Sequence, residues 1–369
     1  MKHTFTSIAI AVFAAQALVA AQGKDATQVL ADTRAALGGD KLAALKGLTG
    51  NGRILRTTPN GNTTENEFEV ALELPDKYLM RSVLAAMGNM SIYRNSGFNG
   101  GMAIEEIDRP PNLQTGGGVM IMRVGGPGGT AMDPATMTPE QKAEFDKTRL
   151  LQNRKEYAKL ALGMFAASPA TYPLTFTYAG EAEAPEGKAD VIDVKGEGDF
   201  SVRLFVDQTS HMPLMLTWMD KEPLVMTMTS GGPGGPGGAP GAGAGGGNAT
   251  FSSGGGGGST IAMVNPGSGP VTVTQHSQAG AGASGAPQMT PEQRDKMLAD
   301  MDARRKEAEA KRRTVEYRVY YADYQAVNGV LLPHKIQRSV DGKPTEEMVF
   351  DQLKVNPKID PKKFQPASK

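Results

Sequence analysis

The sequence predicts a mainly β protein, a curved antiparallel sheet of about ten or eleven strands with covering α-helices and a disordered Gly-rich insertion. Three observations lead to this fold class. Apolar and polar residues alternate with a period of two in many short segments. Two segments begin with strong helix-start signals, and glycine is concentrated in one uncharged stretch. A sheet of that length can curl on itself or wrap around something apolar.

The first residues have the pattern of a signal peptide. Lys2 precedes an apolar stretch, residues 8–21, that ends in small residues. This stretch is shorter than the roughly 20 residues of a membrane span. We therefore expect residues 1–21 to be a cleaved signal peptide and the mature chain to be exported, periplasmic or secreted, and not an integral membrane protein. The alternative is an N-terminal core helix.

An amphipathic helix is predicted next, over residues 25–45. Its apolar residues, among them Val29, Leu30 and Leu37, recur at a spacing near 3.6. We expect a break at the Gly38-Gly39 pair and expect Asp40 to cap a short second helical turn.

The strands follow in sequence. In the clearest one, Phe68, Val70 and Leu72 alternate with glutamates, and the Asn-Gly-Asn turn at 60–62 links it to a strand at 50–58. A further turn is predicted at 97–101. The other predicted strands lie at 78–84, 91–95, 102–107, 174–178, 202–206, 214–218, 315–321, 334–340 and 348–355.

Two segments interrupt this series, residues 109–139 and residues 230–289. The second contains no Asp, Glu, Lys or Arg and holds almost half of the 46 glycines. Glycine at that density, without a Gly-X-Y period, predicts a disordered insertion whose simplest role is a solvated linker. Inside it, the runs 260–264 and 271–274 are candidates for a marginal hairpin. The rest of the mature chain, 22–229 and 290–369, is then one domain.

Both interruptions end in the same phrase, Met-Thr-Pro-Glu-Gln, at 137–141 and at 289–293. In each copy the Thr is a candidate N-cap, Pro is at the first helical position, and Gln completes a capping box. The first helix should run to about residue 165 and lie on the sheet, because it carries apolar side chains such as Tyr157 and Phe165. The second, to residue 313, is mostly charged and should face solvent.

Composition excludes several kinds of site. The absence of Cys excludes disulfides, Fe–S clusters, thiolate metal sites and thiol nucleophiles, and the four His leave little material for a metal or catalytic site. The 39 basic residues balance the 39 acidic ones, so the charge pattern of a nucleic-acid-binding protein is missing. A Gly-x-Ser-x-Gly nucleophile motif is also absent. We expect no catalytic residues, no metal site, no cofactor and no nucleic-acid partner.

Methionine is the unusual component, with 20 residues, many in closely spaced pairs. Thioethers are soft ligands suited to Cu(I), but the pairs lack a nearby His or Cys. The favoured interpretation is adaptable packing or contact with an amphiphile, and copper binding remains the alternative. The pairs are Met87 and Met90, Met120 and Met122, Met212 and Met215, and Met226 and Met228.

The closing segment 324–336, with Asn328-Gly329 and Pro333-His334, is the most specific stretch of the chain. Together with 36–42, 48–50 and the strand and tail at 353–364, it resembles the LolA-like outer-membrane lipoprotein-carrier superfamily. This resemblance implies an exported half-barrel of about 11 antiparallel strands whose apolar concave face is covered by short helices, with segments 191–194 and 201–213 among the strands. It also implies non-catalytic binding of acyl chains of lipoproteins or of other lipids. A polar residue that latches the covering helices would fall on the early strand, where Arg53 and Arg56 both lie.

Alternation places six apolar residues on or near the concave side as candidate ligand-binding residues: Phe68, Leu72, Phe176, Leu204, Leu216 and Trp218. Two interpretations of this face stay open. In the first, a lipid, an acyl chain or a lipoprotein binds there and the protein is a carrier. In the second, the helices of the chain fill the face, and the protein is a structural or interaction protein of the envelope with a protein partner.

Overall fold

The computed structural model describes residues 24–57, 61, 63–87, 90–108, 138–184, 187–222, 225–229, 260–264, 292, 299, 303 and 306–365. The predicted signal peptide and almost all of the predicted Gly-rich insertion lie outside these residues.

The N-terminal helix breaks at the predicted glycine pair. Helix α1 is Ala26–Ala36, and the Asp25 side chain accepts a hydrogen bond from the Gln28 amide at its start. Helix α2 is Asp40–Ala43. The prediction that Asp40 caps α2 is wrong, because Gly39 occupies the cap position and Asp40 is already helical. A left-handed φ of 51° at Gly39 directs the chain into the second helix.

Twelve strands form one antiparallel sheet, which confirms the predicted fold class. Five precede the long helix: β1 (Gly47–Thr57), β2 (Thr63–Glu73), β3 (Lys77–Met87), β4 (Met90–Asn99) and β5 (Met102–Asp108). Four follow it: β6 (Thr175–Ala184), β7 (Gly187–Gly196), β8 (Phe200–Asp207) and β9 (Pro213–Lys221). After β10 (Val225–Thr229) and β11 (Thr260–Val264), the last three are β12 (Thr314–Val327), β13 (Val330–Val340) and β14 (Lys343–Val355).

The strand order in space is β5-β4-β3-β2-β1-β14-β13-β12-β9-β8-β7-β6, so the two edges do not meet and the sheet stays open. Chain-adjacent strands pair as hairpins. Asn328-Gly329 joins β12 to β13, and Asp341-Gly342 joins β13 to β14. All four of these residues have positive φ, which the two-residue turns of twisted hairpins require.

One local prediction needs correction. Gly97 lies inside β4, opposite Leu79 and Ile104, and the turn begins only at Gly100. Strand β11, the described part of the predicted insertion, pairs with β10, and among the described residues these two strands form a separate sheet. The other half of the candidate hairpin, 271–274, lies outside the described residues, so that pairing stays a prediction.

Helix α3, Pro139–Phe165, begins as predicted at the first of the two repeated phrases. The Gln141 amide donates to Thr138 Oγ1 over 3.3 Å, and the Thr138 amide donates to Gln141 Oε1 over 2.9 Å, which is a complete capping box. Ala166 ends the helix in a left-handed conformation. Of the second predicted helix, residues 292, 299, 303 and 306–310 are helical, and the rest of it lies outside the described residues.

One apolar core joins the helices to one face of the sheet, which we call the inner face. Every strand of the large sheet except β5 contributes side chains to it, together with α1, α2 and α3. The opposite, outer face has two smaller clusters. One is formed by Ala71, Leu79 and Ile104 around Phe364 of the short 3₁₀ helix Pro361–Phe364.

The two segments that carry the family resemblance meet in the structure. The Leu331 amide donates to the Leu37 carbonyl over 2.8 Å, at the end of α1. Gly38 is required at this contact, since a Cβ there would lie 2.6 Å from the Gly329 carbonyl oxygen. The β12–β13 hairpin thus holds the break between α1 and α2.

Candidate functional site

The candidate site is the interface between α3 and the inner face. A cavity of about 30 Å³ remains there, enough for one or two water molecules. Its walls combine apolar side chains, including Val70, Met348 and Phe350, with a polar set made of Tyr78, Glu156, Lys159, Tyr321 and Arg338. Helix α3 therefore fills most of the space that the sequence assigned to a ligand.

Five charged side chains at and beside this cavity form a chain from α3 to the centre of the sheet. On α3, Lys159 Nζ lies 2.7 Å from Glu156 Oε1. Across the cavity, Arg338 Nη2 on β13 lies 3.3 Å from Glu156 Oε2. Burial alone would raise the pKa of the Glu156 carboxyl, but Lys159 and Arg338 hold it at about 2. Glu156 is therefore an anion placed against the guanidinium of Arg338.

The chain of charges continues on the sheet. Glu346 on β14 lies 3.5 Å from Arg338 Nε through one carboxylate oxygen and 3.1 Å from Arg56 Nε through the other. The two nearby carboxylates raise the pKa of Arg338 above its usual value although burial opposes them. Arg338 Nε is buried and makes no hydrogen bond, although Glu346 Oε1 lies 3.5 Å away. The site thus holds a guanidinium with one donor that is ion-paired but not hydrogen-bonded.

Of the two candidate latching residues on β1, the structure places Arg56 at the inner site and Arg53 away from it. Arg56 is paired with Glu346, and its side chain is 16% exposed. Arg53 is 48% exposed and lies near Glu65 and Asp351. Arg56 holds β1 to β14, and the direct contact with α3 comes from Arg338, a residue that the sequence analysis did not single out.

Tyrosine hydroxyls attach the backbone of α3 to the sheet. Tyr321 donates to the Lys159 carbonyl oxygen over 2.8 Å. The Tyr324 hydroxyl lies 2.7 Å from the Pro213 carbonyl oxygen and 3.3 Å from the Gly163 carbonyl oxygen, and these two acceptors share its one proton. The helix approaches Tyr321 so closely at Gly163 that a Cβ there would lie 2.0 Å from the aromatic ring.

Toward its start, α3 is attached to β4 and β5 by polar contacts to the backbone. Asn153 Nδ2 donates to the Gly97 carbonyl over 2.6 Å and to the Ile104 carbonyl over 3.3 Å. Arg154 donates to the Gly100 carbonyl over 3.2 Å. Helix α3 is thus held over the apolar inner face by several separate hydrogen bonds and ion pairs, each of modest strength.

The six residues predicted to bind a ligand all lie on the inner face and belong to its core or pack against it. Four are buried, Phe68, Leu72, Leu204 and Leu216, and two are half-buried, Phe176 and Trp218. None of the six lines the remaining cavity. Phe68 is one side chain away, because its ring packs edge-on against Phe350 at 5.0 Å. Their role as ligand-binding residues stays a prediction.

Trp218 lies at the far side of the charged chain. Its ring stacks on Tyr317 with a centroid separation of 5.4 Å and an interplanar angle of 10°. Lys159 Nζ lies 4.3 Å from the centre of the Trp218 ring, a distance at which a cation and an indole attract each other. Lys159 therefore contacts both Glu156, one turn away on α3, and the aromatic pair of the sheet.

The predicted methionine pairs are only partly described. Met212 packs against the main core, whereas Met215 belongs to a cluster on the outer face with Val191 and Phe205. This pair therefore does not form one ligand set. Within the described part of the chain, no group of three or more His, Asp or Glu residues is placed to hold a metal ion. None of the helices described there has the length and apolar character to cross a membrane.

The charged chain could have been located from the sequence. Arg338 follows Ile336 at the inward-facing spacing of two, and Glu346 precedes Met348 and Phe350 at the same spacing. A charged residue at an inward-facing position of a strand is the signal. The six predicted site residues are all apolar, so this signal was not among them.

Comparison with known proteins gives a structural likeness and no sequence match. No protein-family model matches the sequence, and no curated protein matches it. Among solved structures, a LolA superfamily protein from Nitrosomonas europaea is similar, with a TM-score of 0.39 and 7% identity, over 92% of this chain and 97% of that one.

Two further structures are similar over comparable lengths. A putative outer membrane lipoprotein-sorting protein domain from Vibrio parahaemolyticus has a TM-score of 0.36 and 7% identity, over 91% of this chain and 94% of that one. A DUF1329 family protein from Desulfovibrio piger has a TM-score of 0.39 and 5% identity, over 93% and 98%. Each of these three matches covers more than 90% of this chain.

Proposed function

We propose that this protein is an exported, non-catalytic carrier that binds a lipid, an acyl chain or the acyl chains of a lipoprotein between α3 and the inner face of the sheet. The observation that carries the proposal is the construction of this interface. A continuous apolar face is covered by one long helix, and that helix is attached by polar contacts around a small cavity. Such a helix is a cover that a ligand can displace.

The energetics of displacement are balanced. Removing α3 exposes apolar residues of the inner face, which costs free energy in proportion to the apolar area that meets water. An acyl chain that takes the place of the helix restores this burial at about 0.8 kcal/mol per methylene group. The polar contacts of α3 add only about 0.5–1.5 kcal/mol each, so a long chain is able to compete with them.

The ligand would contact the six inner-face residues of the sequence prediction, Phe68, Leu72, Phe176, Leu204, Leu216 and Trp218. Methionines at the cavity, Met80 and Met348, fit this role because an unbranched thioether adapts its shape to different chains. The carrier would act in the periplasm after cleavage of the signal peptide at residues 1–21, and transport of the amphiphile between membranes would be its task.

A second candidate function has its own supporting observation. Only about 30 Å³ is left between α3 and the sheet, which is the state expected if the helix fills the inner face permanently. The protein would then be a structural or interaction protein of the envelope, and its binding surface would lie elsewhere.

One experiment separates the two functions. The protein is purified from the periplasm of a two-membrane bacterium without detergent and extracted with organic solvent, and the extract is analysed by mass spectrometry. The delipidated protein is then titrated with the neutral dye N-phenylnaphthylamine. The carrier function predicts co-purified lipid in stoichiometric amount and saturable dye fluorescence. An extract without lipid, together with no dye binding, would refute the carrier and favour the interaction protein.

A further inference from the structure

We infer that the ligand carries an anionic head group, a carboxylate or a phosphate, which binds Arg338 in the place that Glu156 occupies in this structure. The inference rests on the proposed carrier function and names the chemical class of its ligand. It follows from the way charge is divided between α3, which moves when the site opens, and the sheet, which stays in place.

In this structure the site contains three cationic side chains, Lys159, Arg338 and Arg56, and two anionic ones, Glu156 and Glu346. Glu156 and Lys159 are both on α3 and leave the sheet together when the helix moves. The sheet then keeps two arginines and one glutamate. Its inner face gains an unbalanced positive charge in a largely apolar environment, where an unpaired charge is costly.

The geometry at Arg338 fits an oxyanion. Its Nη2 group now donates toward the Glu156 carboxylate at 3.3 Å, and its buried Nε–H makes no hydrogen bond, with Glu346 Oε1 at 3.5 Å. A carboxylate or a phosphate can accept from both nitrogens at once, as guanidinium groups prefer. The Tyr321 hydroxyl lines the same cavity and loses its acceptor, the Lys159 carbonyl, when α3 leaves. It becomes a second donor for the head group.

The surrounding walls define the rest of the ligand. Val70, Met348 and Phe350 next to the polar set are apolar and continue into the main core. A molecule with an acidic head and one or more hydrocarbon chains matches both parts. Glu156 then acts as an internal competitor, since its carboxylate occupies Arg338 while the site is closed.

The test compares amphiphiles with the same hydrocarbon chain and different heads. Palmitate, hexadecyl phosphate and neutral hexadecanol each displace N-phenylnaphthylamine from the full chain and from the variants R338Q, E156Q and R53Q. R53Q is the matched control, because Arg53 also lies near two carboxylates but is half-exposed away from the site.

We expect wild type and R53Q to bind the anionic amphiphiles roughly tenfold or more tightly than hexadecanol, the difference that charge-assisted hydrogen bonds supply. R338Q should lose this preference and keep its affinity for hexadecanol. E156Q should bind palmitate more tightly than wild type does. A stronger response to palmitate or to hexadecyl phosphate identifies the head group as a carboxylate or a phosphate.

Two other outcomes are informative: one would contradict the head-group inference, and the other would contradict the carrier function. If palmitate, hexadecyl phosphate and hexadecanol bind wild type equally and R338Q changes none of them, the head-group inference is wrong and the carrier function stands. If neither the dye nor any of the three amphiphiles binds, the carrier function itself fails. Circular dichroism of each variant checks that it is folded.

Discussion

The contact between Gly163 and Tyr321 gives the most specific prediction about the cover of the site. Replacing Gly163 by Ala in an ordinary helix stabilises it by about 1 kcal/mol, because Ala has the higher helix propensity. Here the new Cβ would lie 2.0 Å from the Tyr321 ring, well inside an ordinary contact of 3.4–4 Å. Either α3 or the tyrosine must move by roughly 1.5 Å to restore normal contact.

We expect G163A to lower the free energy of unfolding by about 1–3 kcal/mol, the usual cost of overpacking. The shift also weakens the hydrogen bond from Tyr321 to the Lys159 carbonyl, which contributes about 1 kcal/mol. Because α3 is displaced, G163A should take up hydrophobic dye faster than wild type does. Urea denaturation measures the free energy of unfolding, and stopped-flow fluorescence measures the rate of dye uptake.

The control is the same substitution in a Y321A background. Alanine removes all the ring atoms that the new Cβ meets, so G163A should there stabilise the protein by about 1 kcal/mol. The sign of the effect should therefore reverse between the two backgrounds. Stabilisation by G163A in the wild-type background would refute the close packing of α3 on the sheet.

Three further predictions concern the charged chain and its aromatic neighbour. Because Trp218 is half-buried in a stack with Tyr317 and a lysine, W218A should cost about 2–3 kcal/mol in urea denaturation; a cost below about 0.5 kcal/mol would contradict its packing. The pKa of Glu156 lies at about 2 in the folded protein, below the ordinary 4.5, so its ion pairs stabilise the fold above pH 4.5 and this contribution is lost as the pH falls toward 2. The difference between the urea midpoints at pH 7 and pH 3 should therefore be smaller for E156Q than for wild type. An equal difference in the two proteins would contradict the role of Glu156. R56Q, which leaves Glu346 without this partner, should cost about 3 kcal/mol, whereas R53Q should cost less than about 1 kcal/mol; equal costs would show that Arg56 is not part of a buried pair.

Local sequence patterns predicted the fold because strand alternation and helix capping depend only on residues close together in the chain. The alternation of Phe68, Val70 and Leu72 places all three in the core face of β2. The capping box at Thr138 starts α3 at the predicted residue. These features depend on neighbours a few residues apart, which a sequence displays.

Features that depend on distant partners were harder to predict. The pairing of strand 260–264 with 225–229 was not predicted, because a short apolar strand carries no signal for one partner over another. Gly97 was assigned to a turn, but its position in β4 reflects close packing, since a Cβ there would lie 2.0 Å from the Tyr78 carbonyl oxygen. The ion pair between Glu156 and Arg338 joins residues far apart in the chain, and only the position of α3 on β13 creates it.

The central claim is that α3 must leave the inner face for a ligand to enter, and a covalent bridge between α3 and the sheet tests it most directly. The chain has no Cys, so an R154C/G101C pair, placed where α3 meets the turn between β4 and β5, can be joined selectively by a short bismaleimide. Space at Gly101 is open, and Arg154 contacts the neighbouring Gly100. The same pair blocked singly with N-ethylmaleimide is the control.

The measurement is the binding of N-phenylnaphthylamine and palmitate to the bridged and the blocked protein. We expect the blocked protein to bind both ligands and the bridged protein to lose at least tenfold in affinity or in association rate, because α3 is held on the sheet. Equal binding by the two forms would contradict the claim that α3 covers the binding site.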